Sequence, residues 1–312
     1  MFRSFLLNWL SSQYGREVQS QIYEAAAEAL RGAAGEGEDP SSLRADVGLV
    51  FARGAEYGSL LDRLEDVETT KGNGLKFTRG RHQKTRLAIV EAGRPDAVRE
   101  GILALLQVFR PRRVVAAGFA AALSPEIKRG ALYIPSRLVS PDGEEIDAAL
   151  GAPAPPGRET PQDPVRFETA PIVTVESLPA GPNERAELAR KTGAALADTL
   201  TWQAVSVCRE ESAPCLVVKA VAAEYGDSPP TDLRRAAEIG RGSAARKFGA
   251  LFGAITNRPS SLLDLYKVKE RELETAETLA EALVRIVAAS AETSAPEIPD
   301  SAAPKTPNAS QS

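Results

Sequence analysis

Only two cysteines and one histidine occur in 312 residues, and those scarcities remove whole classes of chemistry. Cys208 and Cys215 sit in or beside apolar sequence without any CxxC spacing. That argues against a disulfide framework and a structural zinc site, and it points to a reducing, cytoplasmic setting. His82 lies among basic and polar residues and reads as a surface side chain. A Ser-His-Asp relay or a histidine-rich metal centre has almost nothing to draw on, and no metal or cofactor is implied. Charge of one sign is lacking as well. The 38 basic and 42 acidic residues, with a pI near 5.4, give no general attraction to a phosphate backbone, so nucleic acid is not an expected partner. No apolar run approaches the roughly 20 residues of a membrane span. The apolar start FRSFLLNWL has no small-residue cleavage site behind it, so neither a transmembrane helix nor a signal peptide is expected.

What the chain does have is 43% hydrophobic residues, enough for a sizeable core. Phe2, Phe5, Leu6, Trp9, Leu10, Val18, Ile22, Ala26 and Leu30 are spaced as on a helix, followed by a Gly/Glu/Pro-rich linker near 32–43. This N-terminal unit, residues 1–40, either packs on the domain or a second subunit or lies on a membrane surface. From Ala45 the pattern changes to short aliphatic runs alternating with amphipathic helices. Strands are predicted at 47–52, 86–92, 113–118, 131–136, 172–177 and 215–223, and helices at 94–109, 183–194, 201–211, 233–254 and 261–288. The fold class is therefore α/β, a mixed central sheet flanked by helices over 45–288, with an N-terminal helical extension. The Pro-rich stretch 141–171 reads as a surface loop within that domain. The polar tail 289–312 is expected to be disordered.

In open α/β sheets ligands bind at the carboxyl ends of the strands, so the residues after each strand matter most. Glu56 follows the first strand in ARGAE. Gly93 follows the second. Gly118, Phe119 and Ala120 open a small-residue turn after the third, where backbone can approach a ligand. Asp198, Thr199 and Leu200 precede a helix that carries Trp202, and the last strand ends at Ala223 and Glu224.

These segments in this order resemble the nucleoside phosphorylase superfamily, and in particular its 5'-methylthioadenosine/S-adenosylhomocysteine nucleosidases. The blocks that carry the resemblance are VGLVFARGAEYGSLL, RLAIVEAG, RPRRVVAAGFAAAL and KRGALYIPSRLV, and it extends over about 45–285. It implies a glutamate after strand one that activates water, a Met-Glu pair that holds the ribose hydroxyls, and an aspartate after the last strand that protonates the purine. Cleavage of an N-glycosidic bond needs such groups, because positive charge builds on the ribosyl carbon while the departing base needs a proton. Carried over residue by residue, Glu56 matches the water-activating glutamate. The acid-Met-Glu block falls on Asp198, Thr199 and Leu200, so the ribose-binding carboxylate becomes a leucine that accepts no hydrogen bond. The Ser-Asp pair falls on Ala222 and Ala223, and glycines of the third turn fall on Ala121 and Ala122. Arg94-Pro95 stands where a second small-residue turn belongs.

Two readings follow. In one, the chain is a degenerate relative that binds a purine nucleoside or acts as a scaffold, as a homo-oligomer or as partner of a homologue. In the other it is an active purine nucleosidase using Glu56 with Glu224 or Asp198 in unusual roles. Glu224 could replace the missing acid only if the backbone bulges there, since on a regular strand it faces the opposite side. Phe119 and Trp202 are either pocket walls or core aromatics.

Overall fold

The computed structural model describes residues 43–72, 75–93, 95–147, 165–228 and 260–292. The N-terminal unit, the expected helix over 233–254 and the tail beyond 292 lie outside the described residues. The aliphatic run after Ala45 forms β1 (Val47–Phe51), followed by a 3-10 turn at Gly54–Glu56 and a short helix α1 (Gly58–Leu61). A hairpin, β2 (Glu65–Gly72) and β3 (Leu75–His82), leads to β4 (Thr85–Glu91). Helix α2 (Pro95–Ala104) continues into a π turn at Leu105–Phe109 and ends at Arg110, a left-handed residue, before the ten-residue β5 (Arg113–Ala122).

Short strands come next: β6 (Leu132–Tyr133), β7 (Arg137–Val139), β8 (Glu145–Asp147), β9 (Phe167–Glu168) and β10 (Ile172–Thr174). Helix α3 (Pro182–Thr192), β11 (Leu196–Asp198), helix α4 (Thr201–Glu210), β12 (Cys215–Ala223) and the long helix α5 (Ser260–Glu292) complete the described chain.

All twelve strands join one mixed sheet. β1 is parallel to both β4 and β5, and β12 is parallel to the other edge of β5. The long β5 outruns β1, so its last residues, Ala121 and Ala122, pair antiparallel with β11 instead. β5 is thus the strand on which both halves of the sheet depend. The strand ends of β1, β4, β5 and β12 all point the same way.

Alternation along β1 explains the two apolar layers. Val47, Leu49 and Phe51 face one layer and Val50 the other, as the period-two geometry of a strand requires. The first layer is covered by α5, through Leu279, Leu283, Ile286 and Val287 at helical spacing. The second is covered by α2 and α4, through Ile102, Ala104, Ala204 and Cys208. Burial on both faces is why these strands read as continuous apolar runs.

Several expectations change. The predicted strand at 131–136 divides into β6 and β7 around Pro135, which has no backbone donor to offer a ladder. β5 runs four residues past the predicted 118. The strand expected at 172–177 stops at Thr174. The β2–β3 hairpin was not expected at all: β2 is charged and largely exposed, and Arg79 and Arg81 pair with Glu68, Glu65 and Asp66 across it. The loop 141–171 contributes β8 and β9, and α5 reaches Glu292 rather than 288.

Gly48 on β1 lets the sheet approach the π turn. A Cβ there would stand 2.8 Å from Leu105 Cδ2 and 3.0 Å from Pro111 Cγ. Gly48→Val should therefore lower stability by about 1–3 kcal/mol through overpacking, read as a drop in the urea midpoint with an unchanged slope.

Candidate functional site

The turn after β1 folds Glu56 back under the strand end. Its Oε2 accepts hydrogen bonds from the amides of Ala52 at 3.0 Å and Arg53 at 3.1 Å, and its Oε1 accepts a longer one from Phe119 N at 3.4 Å. The side chain is buried, with only 4% of the residue exposed. It lies directly on Gly118, where a Cβ would come within 3.0 Å of Oε2 and where φ is +147°. That backbone region is open almost only to glycine, so Gly118 is what gives the carboxylate its room. Burial pushes the Glu56 carboxyl above its ordinary value, while the positive charges of Lys219 and Arg53 and the backbone amides oppose the shift.

Gly118 pairs with Lys219 across the β5–β12 ladder. The Lys219 side chain is 2% exposed and its Nζ stands 2.7 Å from Asp198 Oδ2. Asp198 is fixed on every side. Thr174 Oγ1 donates to its Oδ1 at 2.9 Å, and the amide and hydroxyl of Thr201 donate to its Oδ2, the amide at 3.0 Å. The Thr174 hydroxyl in turn accepts from Trp202 N at 2.9 Å. An anion placed on the first amides of α4 is favoured by the partial positive charge of a helix start. One chain of contacts thus runs from the end of β10 through β11 and α4 to β12, and from there to the turn after β1.

The remaining candidates divide clearly. Gly93 is exposed at φ +61° and donates its amide to Ala52 O at 3.0 Å, so it belongs to the rim beside Glu56. Phe119 is buried in the layer under α5, and Ala120 in the layer under α2 and α4. Thr199 is half-buried. Leu200 is 1% exposed and packs in the core with Ala204 and Leu196. Trp202 is half-buried against the same cluster. At the end of β12 the ladder slips between Val221 and Ala223, so the backbone does bulge there. Glu224 turns its Oε1 to Arg129 N, which donates at 3.0 Å. The Arg129 guanidinium donates to Ala222 O and Asp227 Oδ2, both at 2.6 Å.

Lys219 is the residue that reading the sequence missed. Its signal was present: it is the only charged residue in CLVVKAVAA, and a lone charge in a strand buried on both faces calls for a partner. Among the described residues no group of three or more His, Cys, Asp or Glu side chains could hold a metal ion, and no helix is long and apolar enough to cross a membrane.

Comparison with known proteins agrees with this layout. The family model described as the phosphorylase superfamily matches residues 46–255. No curated protein matches the sequence. Among solved structures, the 5'-methylthioadenosine/S-adenosyl homocysteine nucleosidase of Campylobacter jejuni superposes with a TM-score of 0.55 at 12% identity, covering 78% of this chain and 98% of that one. The corresponding nucleosidase of Colwellia psychrerythraea, solved in complex with adenine, gives 0.56 at 15% identity over 79% and 96%. The futalosine hydrolase of Helicobacter pylori gives 0.54 at 15% identity over 78% and 97%. At such identities the likeness is one of fold.

Two measurements test the cluster. Lys219→Met leaves Asp198 buried without its cation and should cost about 3–5 kcal/mol, measured by urea unfolding. A loss below 1 kcal/mol, on the scale of an exposed pair, would contradict the buried pairing. Glu56 has a folded-state pKa raised above 4.5, so its contribution is fully present below that value and is lost as pH rises through the folded-state pKa. Wild-type stability should fall over that window relative to Glu56→Gln, whose profile lacks this component.

Proposed function

We propose that this chain, which belongs to the phosphorylase superfamily, binds a purine nucleoside at the carboxyl ends of β1, β4, β5 and β12 without cleaving its glycosidic bond. The observation that carries this reading is Leu200. At the position where the resemblance implies a ribose-holding carboxylate, the side chain is apolar and packed into the core at 1% exposure. It offers the sugar hydroxyls no acceptor. The acid before it, Asp198, is already committed to Thr174, Thr201 and Lys219. Ala223 supplies no proton for a leaving base, and the Glu224 carboxylate is engaged by Arg129 N. Loss of one acid–base group costs about 10²–10⁴ in rate, and Ala223 stands at the position of one.

Binding is supported separately from cleavage. Exposed Gly93 and the glycine at 118 keep the backbone low beside Glu56, and strand ends of this kind are where open α/β sheets take their ligands. Glu56 would then serve as a hydrogen-bonding wall, since burial works against the charged form a general base must adopt.

The hydrolytic reading draws on the same residue. A buried carboxyl with a raised pKa beside a lysine is the kind of tuned group found at reaction centres. In that case water oxygen bonds to the ribosyl carbon, the carbon–nitrogen bond breaks, Glu56 takes the water proton and the base takes up another from Glu224 or solvent.

Incubation with methylthioadenosine or S-adenosylhomocysteine separates the two. No adenine should appear above the uncatalysed background, while a nucleoside raises the melting temperature. Adenine release that disappears in Glu56→Gln would establish the hydrolase instead.

A further inference from the structure

The amino ends of β1, β4 and β5 meet at the end of the sheet away from the Glu56 turn. Ala45 N donates to Phe109 O and Asp46 N to Arg86 O, both at 2.8 Å, and Arg112 N donates to Asp46 O at 3.2 Å. These bonds bring three chain segments together: 44–46, 84–86 and 110–113. Six of their ten residues are basic and one, Asp46, is acidic. A chain whose formal net charge is -4 thus carries a concentrated positive face at one end.

Arg44, Lys84, Arg86, Arg110 and Arg112 are exposed, and Arg113 is half-buried. The single acid is engaged by its neighbour: Asp46 Oδ2 accepts from Arg86 N at 2.8 Å and lies 3.6 Å from Arg86 Nε. Among the described residues Lys84, Arg112 and Arg113 form no ion pair. Elsewhere on the sheet, Arg79, Arg81 and Arg137 each face a carboxylate at 3.1 Å or less. Burial pushes the Arg113 guanidinium below its ordinary value. Arg110 holds a left-handed φ of +43°, which a glycine adopts more readily at a helix end. Like charges gathered on one face repel, so this end of the sheet is held at a cost that an anionic partner would remove.

The chain entering at Arg44 bears on which anion that is. Its first ten residues include Phe2, Phe5, Leu6, Trp9 and Leu10. An apolar segment and a basic patch are two signals that together hold a protein on a membrane surface, where either alone binds weakly. No aromatic side chain lies in the three basic segments, so a nucleic acid would find no stacking platform there.

We propose that the face formed by residues 44–46, 84–86 and 110–113 docks on an anionic lipid surface, with lipid phosphates as its counter-charge. Docked this way, the ligand end of the sheet faces away from the bilayer: Gly118, beneath Glu56, lies five positions along β5 from Arg113, roughly 16 Å. The proposal does not rest on the nucleoside reading.

Sedimentation of the full chain with vesicles tests it, one set of phosphatidylcholine alone and one containing about a third phosphatidylglycerol. We expect binding to the anionic set only, weakening as salt is raised. Lys84→Glu with Arg112→Glu should weaken it about tenfold or more, since each basic residue near an anionic surface contributes roughly fivefold. Both side chains are exposed and form no ion pair, so the urea midpoint should stay at the wild-type value. Lys84→Gln with Arg112→Gln gives the same test with a smaller charge change should the first variant fail to fold. Equal binding to both sets, binding to neither, or anionic binding unchanged in the variants overturns the proposal. Two such failures would reassign the face. Vesicle binding that appears only with Glu36→Gln, Glu38→Gln and Asp39→Asn combined means that the chain's own acidic run covers it. Salt-sensitive retention of duplex RNA without vesicle binding means that its partner is a nucleic acid.

Discussion

The Lys219–Asp198 ion pair is the contact on which the inner end of the sheet depends. It joins β12 to β11, and through Thr174 and Thr201 it also fixes the end of β10 and the start of α4. Both charges are almost wholly out of water, and a buried pair persists only when its geometry and its further hydrogen bonds compensate for desolvation. Here each Asp198 oxygen has a hydroxyl donor, and Oδ2 has an amide and the ammonium as well. Such a pair adds little to net stability; it ties β12 to β11, two strands that each pair with β5 and not with each other, and the Thr201 bonds fix where α4 starts.

The second consequence of that pair is electrostatic. Lys219 stands opposite Gly118 on the β5–β12 ladder, and Gly118 supports the Glu56 carboxyl. The positive charge thus acts on two acidic side chains, one held as a direct partner and one at longer range in a desolvated turn. The turn after β1 and the core of the sheet share one electrostatic neighbourhood, although more than 140 residues separate them in the chain. Leu200, two residues beyond Asp198, is packed into the apolar core beside that neighbourhood.

Much of the fold was legible in the sequence because burial on both faces makes strands read as plain aliphatic runs. β1, β4, β12 and α4 fall within a residue of their expected bounds, and α3 within two. The hairpin of β2 and β3 was not legible, since its stability rests on cross-strand ion pairs and pairing with β4, neither of which leaves an apolar run. The site divided along the same line. Glu56 was legible from its place after a strand and Asp198 from its place before a helix, whereas Gly118, expected to open a turn, lies inside β5, and Lys219 looked like an interruption of an apolar strand until its partner stood beside it. The bulge at the end of β12 satisfied the condition under which Glu224 could turn inward, but Arg129 N, from the far end of the β5–β6 connection, takes its carboxylate.

By itself the sequence determined the aliphatic strands with the amphipathic helices between them, and the apolar character of positions 200 and 223. Those are properties of residue type and local spacing, and neither requires knowing which segments touch. Only the tertiary structure decided that Asp198 is consumed by Lys219, that Glu56 is desolvated on Gly118, and that Arg185 is buried with an unpaired Nε. Each of these is a pairing between distant segments, and the energy of a charge depends on what surrounds it in space rather than on its neighbours along the chain.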